Sequence, residues 1–445
     1  MEGLIMAAQI ILSLSILVGV HELGHLVAAK VFGMRVEQYS IGFPPKLFGV
    51  KYGETEYSVG AIPLGGYVKI SGMIDESLDT ESLSAKPQEW EFRAKPAWQR
   101  LIVMMGGIVV NIVTGVIIYT SLVYFYGDTY ISKEEMSKYG IVALEVGKEI
   151  GFETGDKIIK INGQDFKRFA DIRSAEVLLG DNSYYTVDRN GELIDIVLPS
   201  DFLDRISDRR SSQLFIDIRY PFEVGNIGEG TEAERIGLQN GDKIVEIAGQ
   251  PVKFFDEYEA IKQLNKNSEV SMVVNRSGQL INMQVYLDEE AIIGFYPRRL
   301  ITPSYTQYSF LQSIGEGSSR AFSAIYVNVK ALGKIFRGEV SATKSLSGPI
   351  GIAQIFGGNW DWYRFWTLTG LLSMVLAFMN FLPIPALDGG HVMFLSYEIV
   401  SGRKPSDKFL IVSQKIGMIF LLGLMAFVIL NDFFKLEFIQ RLFGN

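Results

Sequence analysis

The sequence predicts a polytopic α-helical membrane protein with a membrane-associated β element and two α/β domains outside the membrane. Two observations predict this class. Hydrophobic residues make up 48% of the 445-residue chain, and they are concentrated in four stretches of about 20 residues or more, the length that crosses a bilayer core of about 30 Å. In addition, a short sequence recurs at a fixed offset between the second and third stretches, which indicates duplicated domains.

The four apolar stretches lie near residues 4–29, 101–126, 365–387 and 410–430. The second and third contain no charged residue, whereas the first contains His21, Glu22 and His25. Ionisable side chains at membrane depth are costly and usually functional, so the first stretch is a candidate for the site. A cleaved signal peptide is the alternative for this stretch, but the basic start of such peptides is absent from it.

Basic residues near the helix ends predict the orientation, because Lys and Arg are kept on the cytoplasmic side. They follow the first stretch and separate the third from the fourth, at Lys30, Arg35, Lys46, Lys51, Arg403, Lys404 and Lys408. The loops at these positions are therefore predicted to be cytoplasmic. Residues 127–362 and both termini then lie on the outer side of the membrane.

Composition argues against several classes of function. The chain has no cysteine, so it offers neither a disulfide framework nor a thiolate metal site. Its formal net charge is −8, and the sequence contains no basic block of the kind that binds nucleic acid. A nucleic-acid partner is therefore not expected.

The repeat consists of IGFETGDKIIKINGQ at 150–164 and IGLQNGDKIVEIAGQ at 236–250, which are identical at nine of fifteen positions and offset by 86 residues. In each copy Gly-Asp precedes an alternating apolar run, a glycine turn and a helix-like run, a pattern that resembles the PDZ domain. PDZ domains bind extended peptides at a sheet edge. Neither copy has a clear Gly-Leu-Gly-Phe carboxylate loop, so a steric or docking role is an equal alternative.

The chain is predicted to comprise five segments. They are the first two spanning helices with an inner-side β element (1–126), the first PDZ-like domain (127–220), the second (221–309), an amphipathic helix with a connecting loop (310–364), and the last two spanning helices (365–445). The amphipathic helix is predicted over 316–337 from helical spacing of apolar residues, either near the outer membrane surface or against the second PDZ-like domain. The β element is predicted from 57–71, where β-forming residues flank Gly65-Gly66.

Residues His21 to His25 read HELGH and match the H-E-x-x-H pattern. In that pattern two histidines four residues apart share one helix face and bind zinc, and the glutamate activates the metal-bound water. Two imidazoles and a carboxylate within a lipid-spanning helix need partners that offset their desolvation, and zinc is such a partner. We therefore predict a zinc site with Glu22 as the catalytic base.

A catalytic zinc site takes three protein ligands. Because cysteine is absent, the third is a carboxylate or the remaining histidine, His391. The candidates lie in NFLPIPALDGGH at 380–391, where Pro383 and Pro385 interrupt the helix and Asp388 follows. His25 lies five residues before Lys30 and Asp388 fifteen before Arg403, so both motifs fall toward the cytoplasmic ends of their helices. A cap on the following helix is the alternative role for Asp388.

The two motifs together resemble the site-2 protease family of intramembrane metalloproteases, and the resemblance covers essentially the whole chain, including the two PDZ-like copies. HELGH at 21–25 and NFLPIPALDGG at 380–390 match its two motifs. The resemblance implies Zn²⁺ as cofactor and Asp388 as third ligand, and it leaves His391 outside the ligand set. One departure is GGIVVN at 106–111, where the family has Gly-Pro before the Asn.

The resemblance also implies a substrate path. It assigns the segment 62–68 to a membrane-embedded β element that receives the substrate, and on that basis we predict roles in substrate binding for Gly65, Gly66, Tyr67, Asn380, Pro383 and Pro385. It implies a bacterial inner membrane protein, with PDZ-like domains in the periplasm and the active site toward the cytoplasmic half of the bilayer.

The predicted function is zinc-dependent hydrolysis of peptide bonds within transmembrane segments of single-span membrane proteins in the lipid bilayer. The resemblance suggests a pre-cleaved anti-sigma factor, remnant signal peptides, or both as substrates. A transmembrane helix hides its carbonyls in internal hydrogen bonds, so cleavage requires local unwinding. The alternative is a non-catalytic PDZ scaffold or a metal transporter, either of which should tolerate a neutral residue at position 22.

Overall fold

The computed structural model describes residues 1–73, 86–207, 215–341, 343 and 347–435. The chain divides into two compact units. Met1–Gly127 and Gln307–Asn445 form the first, called the membrane unit below, and Asp128–Thr306 form the second, called the insert unit.

The helices in the described parts of the chain are α1 (Glu2–Val31), α2 (Ala97–Tyr126), α3 (Lys133–Ser137), α4 (Glu145–Glu149), α5 (Phe169–Ile172), α6 (Ala175–Leu178), α7 (Phe202–Ser207), α8 (Glu232–Arg235), α9 (Phe255–Leu264), α10 (Phe310–Phe336), α11 (Pro349–Phe356), α12 (Trp362–Phe381), α13 (Asp388–Ser401) and α14 (Asp407–Lys435). The strands are β1 (Val36–Tyr52), β2 (Thr55–Ile70), β3 (Asp128–Tyr130), β4 (Ile141–Ala143), β5 (Lys157–Ile161), β6 (Tyr184–Arg189), β7 (Glu192–Val197), β8 (Ile216–Ile218), β9 (Phe222–Ile227), β10 (Lys243–Ile247), β11 (Gln250–Pro251), β12 (Ser268–Arg276), β13 (Gln279–Leu287), β14 (Phe295–Arg299) and β15 (Ser304–Thr306).

Among the described residues, four helices are long and apolar enough to cross a membrane, and they are α1, α2, α12 and the part of α14 up to Phe434. The prediction of about four spanning helices is confirmed. The third, α12, ends at Phe381, before the end of the apolar stretch near residue 387 and just ahead of the two prolines that were predicted to interrupt it. Leu382 already has an extended backbone, as expected for a residue before proline, and Pro383 has no N–H to continue the helix.

Glycines bring the spanning helices into close contact. A Cβ atom on Gly24 of α1 would lie 2.3 Å from the carbonyl oxygen of Gly106 on α2, and one on Gly106 would lie 2.6 Å from the carbonyl oxygen of Gly24. Small residues allow such backbone contact between helices in a bilayer, where lipid supplies no hydrophobic driving force. Any larger residue at either position would separate α1 from α2.

Buried polar groups fix how these helices are aligned. Ser13 Oγ of α1 lies 3.0 Å from Thr369 Oγ1 of α12, and Ser373 Oγ of α12 donates to the carbonyl oxygen of Asn111 on α2 at 2.7 Å. Since lipid offers no hydrogen-bond partner, sliding one helix against another would leave these groups unpaired.

The β element is larger than the predicted hairpin or re-entrant loop. Each residue of 38–41 has one pairing partner in 56–59 and another in 66–69, and 48–52 pairs with 55–59. The segment 36–41 therefore lies between 55–60 and 66–70. Among the described residues, no other strand pairs with the far edge of 66–70, so a further strand could be added at this edge.

The amphipathic helix predicted over 316–337 is α10, and it packs on α2 and α12 within the membrane unit. Ser313, Gly317 and Ala321 are buried on one face, and a Cβ atom on Gly317 would lie 2.5 Å from the backbone nitrogen of Thr120. Neither predicted position included this contact with α2. Periodicity shows that a helix has an apolar face but does not show which element covers it.

The predicted connecting loop of 310–364 also contains a helix, α11. Asp432 of α14 accepts hydrogen bonds from the N–H groups of Gly348 at 2.8 Å and Gly351 at 2.9 Å. Its carboxylate therefore caps the start of α11, where N–H groups lack partners within the helix.

The insert unit consists of short antiparallel sheets in two halves. In the first half β5, β6 and β7 form one sheet and β4 pairs with β8; in the second half β10, β11, β12 and β13 form one sheet and β9 pairs with β14. The first and last strands of the unit, β3 and β15, pair with each other. One continuous cluster of buried apolar residues runs through both halves.

The Gly-Asp of the sequence repeat has the same role in both halves. Asp156 accepts from Arg189 Nε at 2.8 Å and from the N–H of Glu153 at 2.9 Å. Asp242 accepts from Arg276 Nε at 2.8 Å and from the N–H of Gln239 at 2.9 Å. The PDZ identity of the halves and the boundary at 220 stay predictions.

Candidate active site

The two histidines of HELGH lie on one face of α1, because residues four apart in a helix are neighbours. Their Nε2 atoms are 3.3 Å apart. Both side chains are buried, with 9% of His21 and 5% of His25 exposed. Opposite them on α2 is Gly107, where a Cβ atom would lie 2.4 Å from His25 Nε2 and 2.6 Å from His21 Cε1. Only glycine leaves room for both imidazoles at this position.

Asp388 is the first residue of α13, and the structure brings it to the two histidines. Its Oδ2 atom lies 3.1 Å from His21 Nε2 and 3.3 Å from His25 Nε2. The same oxygen is buried and has no hydrogen bond of normal geometry with the described residues. The three atoms therefore converge on one point, which suits them to hold a metal ion.

A tight loop between α12 and α13 carries Asp388. Ala386 has a φ of 78°, which is unusual for a residue with a Cβ atom. Its N–H donates to Gln414 Oε1 of α14 at 3.3 Å. A Cβ atom on Gly417, also in α14, would lie only 1.9 Å from the carbonyl oxygen of Pro385. The position of Asp388 therefore depends on close packing between this loop and α14.

Each histidine makes a contact through its other ring nitrogen. His25 Nδ1 lies 2.8 Å from the carbonyl oxygen of Val103 on α2. Since a carbonyl only accepts, Nδ1 carries the proton and Nε2 presents its lone pair to the cluster. His21 Nδ1 lies 3.2 Å from Nδ2 of Asn111, and His21 Nε2 lies 3.3 Å from Nδ2 of Asn380.

The cluster opens onto a cavity of about 700 Å³. Predicted site residues in its wall are His21, Glu22, His25, Gly65, Gly66, Tyr67, Asn380 and Asp388, and His391 lines it as well. The strand edge 66–70 contacts α1 at this level, since a Cβ atom on Gly66 would lie 3.5 Å from Glu22 Cγ. The element predicted to receive substrate and the proposed base thus share one cavity.

Two predicted residues lie elsewhere. Pro383 and Pro385 are in the loop that carries Asp388 and are not among the described residues of the cavity wall; their role in substrate binding stays a prediction. His391 is absent from the described group of side chains whose ligand atoms converge, and its place outside the ligand set stays a prediction.

Sequence reasoning assigned no role at the site to Asn111, to Gln414 or to the glycines that pack against it. A signal was present for the amides, because each lies within a stretch apolar enough to span the membrane, where a polar side chain needs a protein partner. The glycines gave no such signal, because glycine is common in spanning helices. Which helix or loop packs closely against a given glycine cannot be told from the sequence.

Residues 9–424 match the sequence model of Peptidase family M50. The chain belongs to this family. It is 29% identical over 454 residues to a protein of Vibrio cholerae serotype O1 named "Putative zinc metalloprotease". It is 29% identical over 459 residues to the regulator of sigma E protease of Haemophilus influenzae and 28% identical over 455 residues to the regulator of sigma-E protease RseP of Escherichia coli K12. Each alignment covers 96% of this chain and 98% of the relative.

Membership of Peptidase family M50 confirms the predicted resemblance to site-2 proteases. This M50 protein is a metalloendopeptidase with a polytopic helical membrane region. The alternatives of a non-catalytic scaffold and a metal transporter are therefore wrong.

Proposed function

We propose that this M50 protein is a zinc-dependent intramembrane endopeptidase that hydrolyses peptide bonds within transmembrane segments of single-span membrane proteins. The observation that carries the proposal is the convergence of His21 Nε2, His25 Nε2 and Asp388 Oδ2 beside a strand edge and a carboxylate in one cavity. The two histidines lie on α1 and Asp388 follows α12, and both of these helices are membrane-spanning candidates.

The donor set fits zinc. Two imidazoles and one carboxylate are a ligand set of catalytic zinc sites, which leave a fourth position open. Ligand atoms about 2.0 to 2.2 Å from a tetrahedral zinc lie about 3.3 to 3.5 Å from one another, close to the 3.1 to 3.3 Å between these atoms. We therefore assign His21, His25 and Asp388 as ligands. Zinc held there would polarise the scissile carbonyl and lower the pKa of a bound water.

Glu22 is the proposed general base. It follows His21 on α1 and lines the cavity, so its carboxylate can take the proton of an attacking water and return it to the leaving amine. Its neighbour in space is the strand segment at Gly66, which is where a peptide bond would be presented.

The free edge of 66–70 is the proposed substrate platform. A transmembrane helix must unwind before cleavage, and its freed backbone groups find no partners in lipid. An extended peptide paired with this edge would regain them, as in strand addition. Asn380, whose amide also lines the cavity, would hold the adjacent backbone, and Gly65, Gly66 and Tyr67 would form the floor beneath it.

For location, we propose the bacterial inner membrane, with the insert unit in the periplasm and the active site toward the cytoplasmic half. The names of two relatives as regulators of sigma E support a pre-cleaved anti-sigma factor as one substrate, and remnant signal peptides are a second class. The PDZ-like halves would exclude proteins with large outer domains.

The test is cleavage of a purified single-span reporter by the detergent-solubilised full chain. Glu22→Gln should lower the cleavage rate by about 10²-fold or more and retain bound zinc, because Glu22 is not a proposed ligand. Glu54→Gln, which changes an exposed carboxylate of the β element, is the matched control and should cleave normally. Full activity in Glu22→Gln would refute this mechanism.

A further inference from the structure

Asn111 is a buried amide with an unpaired oxygen. Its side chain is fully buried in α2, and its Nδ2 atom lies 3.2 Å from His21 Nδ1. Its Oδ1 atom is also buried and has no hydrogen-bond partner among the described residues. The two ends of a side-chain amide are told apart by their hydrogen-bond partners, so the orientation turned by 180° has to be weighed against this one.

The two ends of the amide select different forms of His21. A neutral imidazole has one N–H donor and one acceptor nitrogen. If Nδ2 faces the ring, Nδ1 must accept, and the proton lies on Nε2, which faces Asp388. If the amide turns by 180°, Oδ1 accepts from Nδ1–H, and Nε2 presents its lone pair to the cluster. One end of the amide lacks a partner in either orientation, so the choice depends on which nitrogen of His21 must keep its lone pair for the cluster.

The same face of α2 also contacts His25. Val103 accepts from His25 Nδ1 through its backbone carbonyl, and Gly107 and Asn111 follow at intervals of four residues. A backbone carbonyl can only accept a hydrogen bond, whereas a side-chain amide can turn so that either its acceptor oxygen or its donor nitrogen faces the ring. His25 is therefore held in one form by the backbone, and the form of His21 depends on a single side chain.

Close packing keeps Asn111 within reach of His21. Its backbone carbonyl accepts from Ser373 of α12 at 2.7 Å. One turn before it, Gly107 lies against both imidazoles, and one turn after it a Cβ atom on Gly115 would lie 2.4 Å from the sulfur of Met374. These contacts leave α2 little freedom to move the amide away.

We propose that Asn111 is a positioning residue that accepts from His21 Nδ1–H through Oδ1 and thereby directs the Nε2 lone pair of His21 toward the zinc. The inference rests on the proposed function, because it requires His21 to be a ligand. Outer hydrogen bonds of this kind fix the tautomer and orientation of a ligating histidine. The competing explanation is that Asn111 only fastens α2 to its neighbours.

The experiment measures Zn²⁺ affinity of the purified full chain by competition with a chromophoric chelator, together with the visible spectrum of bound Co²⁺. Asn111→Leu should bind Zn²⁺ about 10 to 100-fold more weakly and change the Co²⁺ spectrum. Asn111→Asp keeps an acceptor and should bind like the parent. Ser373→Ala removes the other hydrogen bond to Asn111 but leaves the amide, and it should also bind like the parent.

The outcomes separate the two explanations. Parental Zn²⁺ affinity in Asn111→Leu would overturn the inference, as would equal losses in Asn111→Leu and Ser373→Ala, or no rescue by Asn111→Asp. If Asn111→Leu does not fold, Asn111→Ala, which adds no bulk, replaces it with the same expected loss. Failure of the parent chain to bind Zn²⁺ would instead overturn the proposed function itself.

Discussion

The two halves of the metal cluster are built in different ways. His21 and His25 lie on a regular helix, so their four-residue spacing alone places both Nε2 atoms on one face. Asp388 follows a loop with a left-handed alanine, and α14 holds this loop through Gln414 and Gly417. The histidine half is therefore secured locally, whereas the aspartate half depends on a distant helix.

The supporting helix is also the least buried of the spanning candidates. In the most apolar stretch of α14, 11% of the residues are buried. The buried share of the corresponding stretch is 28% in α1, 39% in α2 and 33% in α12. A spanning helix that faces mostly lipid is held in place by fewer contacts with other helices. The aspartate half should be the part of the site that is more sensitive to changes far from the metal.

The largest expected effect does not distinguish the halves, because the chemistry needs all three ligands. His25→Ala and Asp388→Ala should each abolish detectable Zn²⁺ binding and reporter cleavage, measured by metal analysis and gel assay. His391→Ala is the control for a cavity histidine outside the ligand set and should retain Zn²⁺. Loss of Zn²⁺ in His391→Ala but not in Asp388→Ala would show that the third ligand is His391.

Gly417→Leu tests the support of the aspartate half. Its Cβ atom would collide with backbone atoms of Pro385, so the loop must shift, and misplacement by about 1 Å can reduce catalysis about 10²-fold. Gly423→Leu lies on the same helix with nothing within 4 Å of the added Cβ atom, and its cleavage rate should be normal. Equal rates in the two variants would contradict the dependence on α14.

Gln414→Leu should have a smaller effect of the same kind. It leaves the buried N–H of Ala386 without its acceptor, at a cost of about 1 to 3 kcal/mol in loop stability. We expect a cleavage rate reduced about tenfold and weaker Zn²⁺ binding, both recovered in Gln414→Glu, which keeps an acceptor. Normal Zn²⁺ affinity in Gln414→Leu would show that the loop holds Asp388 without this hydrogen bond.

The smallest effect on the site should come from the insert unit. Burial raises the pKa of Asp242, but hydrogen bonds from Arg276 and from the N–H of Gln239 outweigh burial and hold the pKa below the usual value of an aspartate. This carboxylate therefore stabilises the unit above about pH 4, and its contribution is lost as the pH falls through the lowered pKa.

Arg276→Met should remove about 1.5 to 3 kcal/mol of this stabilisation at neutral pH. Hydrogen exchange should quicken in the second half of the insert unit, while Zn²⁺ affinity stays parental. Arg189→Met is the matched change in the first half of the insert unit. A fall in Zn²⁺ affinity in either variant would mean that the site is not confined to the membrane unit.

Several features of the fold were predictable from local patterns. Four apolar stretches predict four spanning helices because a bilayer of fixed thickness requires a fixed length. The repeat predicts two equivalent segments, and the structure adds that an arginine donates to the aspartate of each Gly-Asp. The two prolines also predict where α12 ends, at Phe381. The contact of α10 with α2 was not predicted, because it depends on a neighbour about 200 residues away in the chain.

The sequence by itself determined that His21, Glu22 and His25 share one helix, because the period of an α-helix is a local property of the backbone. It also determined that Asp388 and His391 were the candidates for a third ligand. Only the tertiary structure decided that Asp388 and not His391 converges with the histidines, that Asn111 contacts His21, and that α14 supports the loop. These are contacts between separate helices, and the alignment of helices depends on close packing that no single segment encodes.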